Sequence, residues 1–279
     1  MHKFPYRMDD SPLAEECLHV GKHGPHRNET LDSSRFLSDN KWHLLLCASG
    51  SVATIKIPNM VQALSRYGNL SIRIVLTTSA AHFLEGQSKE QPSLDDIQDM
   101  PNVDGIYKDV DEWVNPWIRG AKILHIELRR WADLMVVAPL SANTLAKVVG
   151  GLCDNLLLST FRAWDTTGIL DPPHVVKGSA RIQELDDDTD EEDIMKDDGT
   201  KRKKIIVAPA MNTAMWFHPV TKRHMELLEG EWNVENGGWI EVCRPMEKVL
   251  ACGDTGSGAM ADWRGIVKMI EDEFELSEE

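Results

Sequence analysis

The chain has 279 residues, of which 42% are hydrophobic and 27% charged, and its net charge is −15. This length allows one large domain with a substantial core, and no apolar run approaches the ~20 residues that span a bilayer. Five cysteines without a CxxC pair argue against a disulfide framework or a zinc ribbon and predict a reducing, cytoplasmic location.

The negative charge lies in two segments. Residues 184–198 hold ten acidic residues and one lysine, and residues 271–279 hold six acidic residues and no basic one. Their charges, −9 and −6, together equal the net charge, so the rest of the chain is balanced and a nucleic-acid partner is not expected. We predict that the first segment is solvated and disordered, with a docking site for a basic partner as the alternative.

Four apolar segments alternate with helical ones along the chain. Their Val, Ile and Leu residues run continuously instead of alternating with polar ones, which is typical of strands buried on both faces of a parallel sheet. Strands separated by helices predict right-handed crossovers. We therefore predict an α/β fold, a three-layer Rossmann-like (flavodoxin-like) sandwich with a mostly parallel sheet. The predicted strands are 42–50, 71–80, 134–142 and 204–212.

The same patterns predict the domain organisation. Residues 1–40 are predicted to form a flexible tail without a secretory signal, and residues 41–270 a single domain. Within that domain residues 165–203 are predicted to be a largely disordered acidic insertion, and residues 271–279 a C-terminal tail. The basic run 201–204 is predicted to balance the acidic charge, with a nuclear signal as the alternative.

Each predicted strand ends in small or polar residues. Ligands of open α/β sheets bind at the carboxyl ends of the strands, so these four ends predict a site. The first end, ASGSVA at 48–53, leads into a helix N-terminus that suits a phosphate. It is not GxGxxG, and no acidic residue follows about 20 positions later, which favours a mononucleotide over NAD. An ordinary strand-to-helix turn is the alternative.

Two further residues are candidates for chemistry. Cys252 lies in the glycine-rich stretch ACGDTGSGAMAD, where it is either a small buried residue or a thiol delivered to a pocket. The Asp254-Thr255-Gly256 signature of aspartic proteases needs a second, facing aspartate in an all-β setting, so we exclude it. His125 lies near the start of a short predicted helix, where either a structural or a catalytic role fits.

Five segments taken together resemble one family. GSVATIK, HIELRRWAD, APLSANTLAKVVGGLCDNLL, PAMNTAMW and ACGDTGSGAMA are similar to the homo-oligomeric flavin-containing cysteine decarboxylases. The resemblance covers residues 42–164 and 204–270 and is greatest to members that act on 4′-phosphopantothenoylcysteine in coenzyme A synthesis. Fungal halotolerance relatives, which inhibit a type-1-like protein phosphatase, belong to the same group.

The resemblance implies FMN as cofactor and a role for each matching residue. It implies that His125 is the catalytic base, Asn212 the contact to the substrate carboxylate and Cys252 the proton donor, and that Ala251 and Met260 line the substrate. The residues implied to hold FMN follow the predicted strands: Gly50, Ser51, Val52, Thr77, Thr78, Ser79, Ser141, Ala142, Asn143, Thr144 and Ala210.

The implied reaction explains why PAMN places one amide among apolar residues. Oxidation of the substrate carbon that bears sulfur gives a thioaldehyde, which accepts the electrons released as CO₂ leaves and becomes an enethiolate. A carboxylate that becomes neutral CO₂ should not be held by a strong charge, because that would stabilise the ground state. Asn212 orients it as a neutral donor.

The implied assembly is a homotrimer with sites between subunits, or a heterotrimer with paralogues. One alternative function is a regulatory subunit that inhibits a protein phosphatase on the same scaffold. Another is a decarboxylase of peptide C-terminal cysteines, which the PAMN and ACGD segments disfavour. Because His125, Asn212 and Cys252 are all present, we expect the enzyme.

Overall fold

The computed structural model describes residues 31–171, 174, 176, 202–249 and 255–276, with the backbone alone for 247–249 and 255–256. Its centre is a six-stranded sheet in the order β5-β2-β1-β6-β7-β8, in which every neighbouring pair is parallel. The strands are β1 (Trp42–Ala48), β2 (Leu70–Leu76), β5 (Val103–Lys108), β6 (Leu134–Ser141), β7 (Ile205–Ala210) and β8 (Ile240–Val242).

Helices cover both faces of this sheet. Leu44 and Leu46 of β1 belong to one core cluster, and Leu45 and Cys47 to the other, because successive side chains of a strand point to opposite faces. The first cluster includes α1 (Ile57–Leu64), α3 (Leu94–Gln98) and α9 (Trp263–Glu273). The second includes α4 (Leu124–Trp131), α5 (Ala142–Val149), α6 (Leu156–Arg162) and α8 (Pro219–Glu229). The predicted three-layer sandwich is confirmed.

The remaining elements are short. Helix α2 spans Thr78–Ala81 and α7 spans Thr213–Trp216. Two antiparallel hairpins lie outside the main sheet, one of β3 (Glu85–Ser88) with β4 (Gln91–Ser93) and one of β9 (Met246–Val249) with β10 (Thr255–Ala259). None of the described helices has the length and hydrophobicity needed to cross a lipid bilayer.

The four predicted strands are confirmed, but the sequence missed β5 and β8. Both are edge strands, and each has one neighbour instead of two. Most of their residues are partly exposed, so neither is a continuous apolar run. The pattern that identified the central strands is therefore absent at the edges.

The folded region extends past the predicted boundaries at both ends. Leu31 and Ser33 are buried, and the backbone N–H and hydroxyl of Ser33 both donate to Glu127 Oε2, at 2.9 and 2.8 Å. At the other end α9 continues to Glu273, and Phe274 is buried in a stack on Trp42 with ring centroids 5.0 Å apart. An acidic composition does not prevent folding here, because apolar residues recur at helical spacing.

The start of the predicted insertion also packs against the domain. Asp165, Asp171, His174 and Val176 are buried. The acidic segment 184–198 lies outside the described residues, so its expected disorder stays a prediction.

A turn around Asp165 holds this segment. Its carboxylate accepts bonds from the backbone N–H groups of Thr167, Gly168, Leu170 and Asp171 and from the Thr167 hydroxyl, at 2.7–3.1 Å. Burial raises the pKa of Asp165, but these hydrogen bonds outweigh it and hold the pKa below its ordinary value. The ionised carboxylate therefore stabilises the folded state at neutral pH.

We expect Asp165→Asn to lower the free energy of unfolding by roughly 1–3 kcal/mol at pH 7, because it weakens several charge-assisted hydrogen bonds. Since the folded-state pKa is depressed, this stability is present above the unfolded pKa of about 3.9 and is lost as the pH falls below it. Urea unfolding at pH 7 and pH 3 measures both effects. Asp272→Asn, which removes an exposed pair with Lys268, is the control and should change stability by under about 0.5 kcal/mol. Equal losses in the two variants would contradict the assignment.

Candidate functional site

Four polar residues at the carboxyl edge of the sheet cap the helices that follow. Oxygen atoms of Ser51, Thr77, Ser141 and Asn212 accept bonds from backbone N–H groups two or three residues later, at 3.4, 3.2, 3.3 and 2.9 Å. Side-chain oxygens are the usual partners of the first helical amides. The small and polar residues that end the predicted strands therefore have a local structural cause, and they gather helix N-termini along one edge.

The ends of β1, β2 and β6 are tied together. The buried Ser49 hydroxyl donates to the carbonyl of Pro139 at 3.0 Å and accepts from the Ser141 N–H at 2.8 Å. Gly50 lies against Ser79, since a Cβ added at Gly50 would come 2.8 Å from the Ser79 Cβ. Only glycine allows this approach without a shift of one of the two loops.

A cleft of about 400 Å³ opens at this edge. Five predicted residues line it, at the starts of the helices that follow β2 and β6: Thr77, Thr78, Ser79, Asn143 and Thr144. Five others line it that the sequence analysis missed: His82, Asp109, Lys147, Asp154 and Asn155. In the sequence, only the small and polar residues at the strand ends indicated a site. These five residues lie on other segments, which the fold brings to the same edge.

The other predicted cofactor residues do not line the cleft, although they follow the same strand ends. Ser51 caps a 3₁₀ helix over residues 52–56, and Val52 is exposed. Ala142 is the first residue of α5, and Ala210 at the end of β7 is in register with Ser141. The strand order reverses between β1 and β6, which is where open α/β sheets bind nucleotides.

Polar groups that could hold a phosphate lie in or next to this cleft. The first amides of α5, at Ala142 and Asn143, are of the kind that have no intrahelical acceptor. Hydroxyls of Thr77 and Ser79 lie 3.2 Å apart beside them. Lys147, one turn along α5, pairs with Asp154. Lys147 and Asp154 neutralise each other, while the second carboxylate of the cleft, that of Asp109, accepts from the Leu156 N–H.

His125 is held by a glutamate that the sequence analysis missed. Glu112 accepts from His125 Nδ1 at 2.9 Å and from the backbone N–H of the same residue at 3.2 Å. The Glu112 side chain is 5% exposed, while that of His125 is 27% exposed. A carboxylate that only accepts fixes the Nδ1–H tautomer and leaves Nε2 free to take a proton. No short spacing marks this pair, because 13 residues separate the two.

Asn212 follows β7 and faces solvent. Its side-chain oxygen caps α7, so the amide NH₂ group remains to face a ligand. Met211 before it is buried and Met215 after it is half exposed, so the apolar surroundings expected for Asn212 stay a prediction.

The β9–β10 hairpin packs beside Asn212. The Met211 N–H donates to the Gly258 carbonyl at 2.9 Å, and a Cβ at Gly258 would come 2.7 Å from the Met211 oxygen. Met260, after β10, is buried. Ala251 and Cys252 lie between the two strands and outside the described residues, so their expected roles stay predictions.

One chain does not bring His125 and Asn212 together. Glu112 follows β5 and Asn212 follows β7, and four strand spacings, or ~19 Å, separate those strands. Among the described residues no hydrogen bond joins His125 to Asn212.

The flavoprotein family model matches residues 33–275 of this sequence. The chain belongs to the flavoprotein family. It is 41% identical over 223 residues to phosphopantothenoylcysteine decarboxylase of Arabidopsis thaliana, covering 80% of each chain. It is also 37% identical over 248 residues to a probable thymidylate synthase of Schizosaccharomyces pombe, where it covers 89% of this chain and 32% of the relative.

Solved structures agree with this membership. A PPC decarboxylase mutant complexed with pantothenoylaminoethenethiol is 38% identical with a TM-score of 0.60, covering 85% of this chain and 100% of that one. The FMN binding protein AtHal3 is 39% identical with a TM-score of 0.58, covering 84% and 97%.

We expect Gly50→Ala to reduce flavin content at least tenfold with little change in far-ultraviolet circular dichroism, because the added methyl pushes the loop after β1 away from Ser79. Gly68→Ala is the matched control, since a Cβ there meets no atom within 4 Å. Flavin absorbance per chain, after purification with excess FMN, measures the effect. Equal flavin content in the two variants would remove this loop from the cofactor site.

Proposed function

We propose that this chain is an FMN-dependent phosphopantothenoylcysteine decarboxylase, which converts 4′-phosphopantothenoylcysteine to 4′-phosphopantetheine in coenzyme A synthesis. The observation that carries the proposal is the 41% identity that covers 80% of both this chain and the Arabidopsis enzyme. His125, Asn212 and Cys252, the residues implied to do the chemistry, are all present. A reducing, cytoplasmic location is part of the proposal.

The cleft between the ends of β2 and β6 is the proposed FMN site. The loops at 50–52, 77–79 and 141–144, with Ala210, would hold it through backbone amides, hydroxyls and the Asn143 amide. When bound, FMN supplies the reversible two-electron chemistry that no protein side chain here provides.

His125 is the proposed base. Glu112 fixes the ring so that Nε2 accepts a proton, and its charge stabilises the imidazolium that forms. A base oriented by a buried carboxylate recurs in many hydrolases and lyases. The orientation of the His125 ring is fixed by two contacts, because Glu112 accepts from both the backbone N–H and the Nδ1 of His125.

Asn212 is the proposed contact for the substrate carboxylate. Because its oxygen is engaged by the Met215 N–H, only the NH₂ group can turn to the substrate. A neutral donor beside methionines orients the carboxylate without the ground-state stabilisation that an arginine would give. Ala251 and Met260 would line the same pocket, and Cys252 would donate the final proton.

A homotrimer with sites between subunits is the proposed assembly. Large apolar side chains are exposed on two surfaces, each beside one half of the site. Residues beside Glu112 are Val110, Trp113, Val114, Trp117 and Ile118, and residues beside Asn212 are Met215, Phe217 and Val220. Contact between these surfaces in neighbouring copies would bring His125 of one chain to Asn212 of the next. A heterotrimer with paralogues would use the same surfaces.

A phosphatase-regulating role is the alternative carried by the halotolerance relatives. The complete set of His125, Asn212 and Cys252 favours the enzyme, because a regulatory subunit needs none of them.

The first test is CO₂ release from 4′-phosphopantothenoylcysteine by the purified, FMN-loaded protein. Cys252→Ser should still release CO₂ but stop at the enethiol, because a hydroxyl is a much weaker acid than a thiol with a reference pKa near ~8.5. The neighbouring PPC decarboxylase mutant is complexed with such an enethiol. Mass spectrometry of the products measures both outcomes. Normal conversion to the saturated thiol by Cys252→Ser would contradict the role of Cys252. Failure of the wild type to release CO₂ would contradict the proposed function.

Asn212→Asp should keep the fold and FMN but lower CO₂ release by at least a hundredfold. An aspartate still caps α7, while its charge repels the substrate carboxylate by on the order of several kcal/mol where a neighbouring copy covers residue 212 and excludes water. Asn212→Ser is the matched control, which keeps a cap and adds no charge, and it should lose less activity. Normal turnover by Asn212→Asp would remove Asn212 from the carboxylate site.

Mixed oligomers test the shared site. His125→Asn and Asn212→Asp are each expected to be inactive, but co-expressed chains place one intact His125 beside one intact Asn212 at about a quarter of the interfaces of a random oligomer. Activity near that fraction supports sites between subunits. Co-expressed oligomers without activity would place both residues in one chain's site.

A further inference from the structure

A second cluster of titratable residues lies at the opposite, amino-terminal edge of the sheet. Asp39 precedes β1, His43 is its second residue, and His174 follows the Asp165 turn. The two histidines are buried, and the carboxylate of Asp39 is partly exposed. One side-chain ligand atom from each residue can be chosen so that all three lie within 4.8 Å of one another. The proposed function uses none of them.

The Nδ1 atoms of His43 and His174 both donate hydrogen bonds. His43 Nδ1 lies 3.0 Å from the carbonyl oxygen of Trp131, and His174 Nδ1 lies 2.8 Å from Asp133 Oδ2. A carbonyl and a carboxylate only accept, so each Nδ1 carries a hydrogen. Metal-binding histidines have this arrangement, with the second ring nitrogen donating to a backbone carbonyl or a carboxylate.

The Nε2 atoms both face acceptors. His43 Nε2 lies 3.0 Å from Asp39 Oδ2, and His174 Nε2 lies 3.1 Å from the Phe36 carbonyl and 3.6 Å from Asp39 Oδ1. If each Nδ1 is the protonated atom of a neutral ring, both Nε2 lone pairs are directed to the side of the cluster where the Asp39 carboxylate and the Phe36 carbonyl lie. A cation at their centre would satisfy all of them.

Protons on both Nε2 atoms are the alternative to one metal ion. The His43 and His174 rings are stacked with centroids 4.2 Å apart and planes 16° apart. Protonating both would place two like charges face to face, a cost that the adjacent carboxylates of Asp39 and Asp133 reduce. A single divalent cation needs both rings neutral and places its charge next to Asp39.

The distances also suit a small transition-metal ion. Bonds of ~2.0–2.1 Å in tetrahedral geometry place ligand atoms ~3.3 Å apart. The contacts from Asp39, Oδ2 to His43 at 3.0 Å and Oδ1 to His174 at 3.6 Å, lie on either side of that value. The three ligand atoms now lie within 4.8 Å of one another, so metal binding would draw the side chains closer together. Two imidazoles and one carboxylate favour zinc or a similar ion over Mg²⁺ or Ca²⁺, which prefer oxygen ligands. Water or the Phe36 carbonyl would take the fourth position.

We infer that Asp39, His43 and His174 form a binding site for a divalent transition-metal cation, Zn²⁺ by preference, oriented by Trp131 and Asp133. Such an ion joins the segment before β1, β1 itself and the segment after α6. Its role is structural, because six residues of β1, or ~20 Å, separate His43 from the Ser49 edge.

The test uses the untagged full-length protein, stripped with EDTA and titrated with Zn²⁺ or Co²⁺ alone. The wild type should retain one equivalent through gel filtration. The Co²⁺ form should show visible bands of tetrahedral nitrogen and oxygen ligands without the charge-transfer absorption of a cysteine ligand. Saturating Zn²⁺ should raise the Tm by on the order of several degrees.

Asp39→Asn is the decisive variant, because its partly exposed side chain can change without disturbing the core. It should weaken Zn²⁺ binding by on the order of tenfold or more, abolish the Tm increase and keep CO₂ release. Asp99→Asn, another exposed aspartate outside the cluster, should bind like the wild type. His174→Gln provides a second ligand variant with the same expectation as Asp39→Asn. Three results would each overturn the inference: no metal retained by the wild type, equal binding by Asp39→Asn and the wild type, or a cysteine charge-transfer band. The three side chains would then be held together by hydrogen bonds from protonated histidines.

Discussion

The buried Ser49 hydroxyl is the contact on which the functional edge depends. It donates to Pro139 and accepts from the Ser141 N–H, so it joins the end of β1 to the end of β6. These two strands lie where the sheet order reverses, and the loops that leave them diverge around a crevice. An unsatisfied Ser141 amide at this buried position would cost roughly 1–3 kcal/mol, so the loops would not hold a fixed geometry without the serine.

Fixed loops then allow a site built from neutral groups. Serine, threonine and asparagine side chains cap the helices at the edge, and each capping oxygen is engaged by its own helix. The remaining donors can face a ligand. Two pairs of ionisable residues lie near the site, His125 with Glu112 and Lys147 with Asp154, and the Asp109 carboxylate accepts from a backbone N–H. This arrangement suits a reaction in which a carboxylate must lose its charge as CO₂ departs.

The two halves of the proposed site have different surroundings because they lie at different places along the sheet. His125 and Glu112 lie on the β5 side, and Asn212 lies on the β7 side. Each half adjoins exposed aromatic and aliphatic side chains, which a monomer would leave in contact with water. Assembly of several copies would cover these surfaces and complete the site in a single step, so oligomerisation and catalysis share one physical cause in the proposal.

The sequence alone determined the central fold, because β1, β2, β6 and β7 are buried on both faces and must be continuously apolar. It also predicted the edge at which the cleft opens, since helix caps require polar residues at the strand ends. Only the tertiary structure showed which residues meet through long-range contacts. Glu112 reaches His125 across 13 residues, and His174 reaches Asp133 across 41, with no local pattern to mark either pair. The edge strands β5 and β8 and the end of α9 are likewise defined by their neighbours, because partly exposed or acidic residues fold there only when a core is present to pack against.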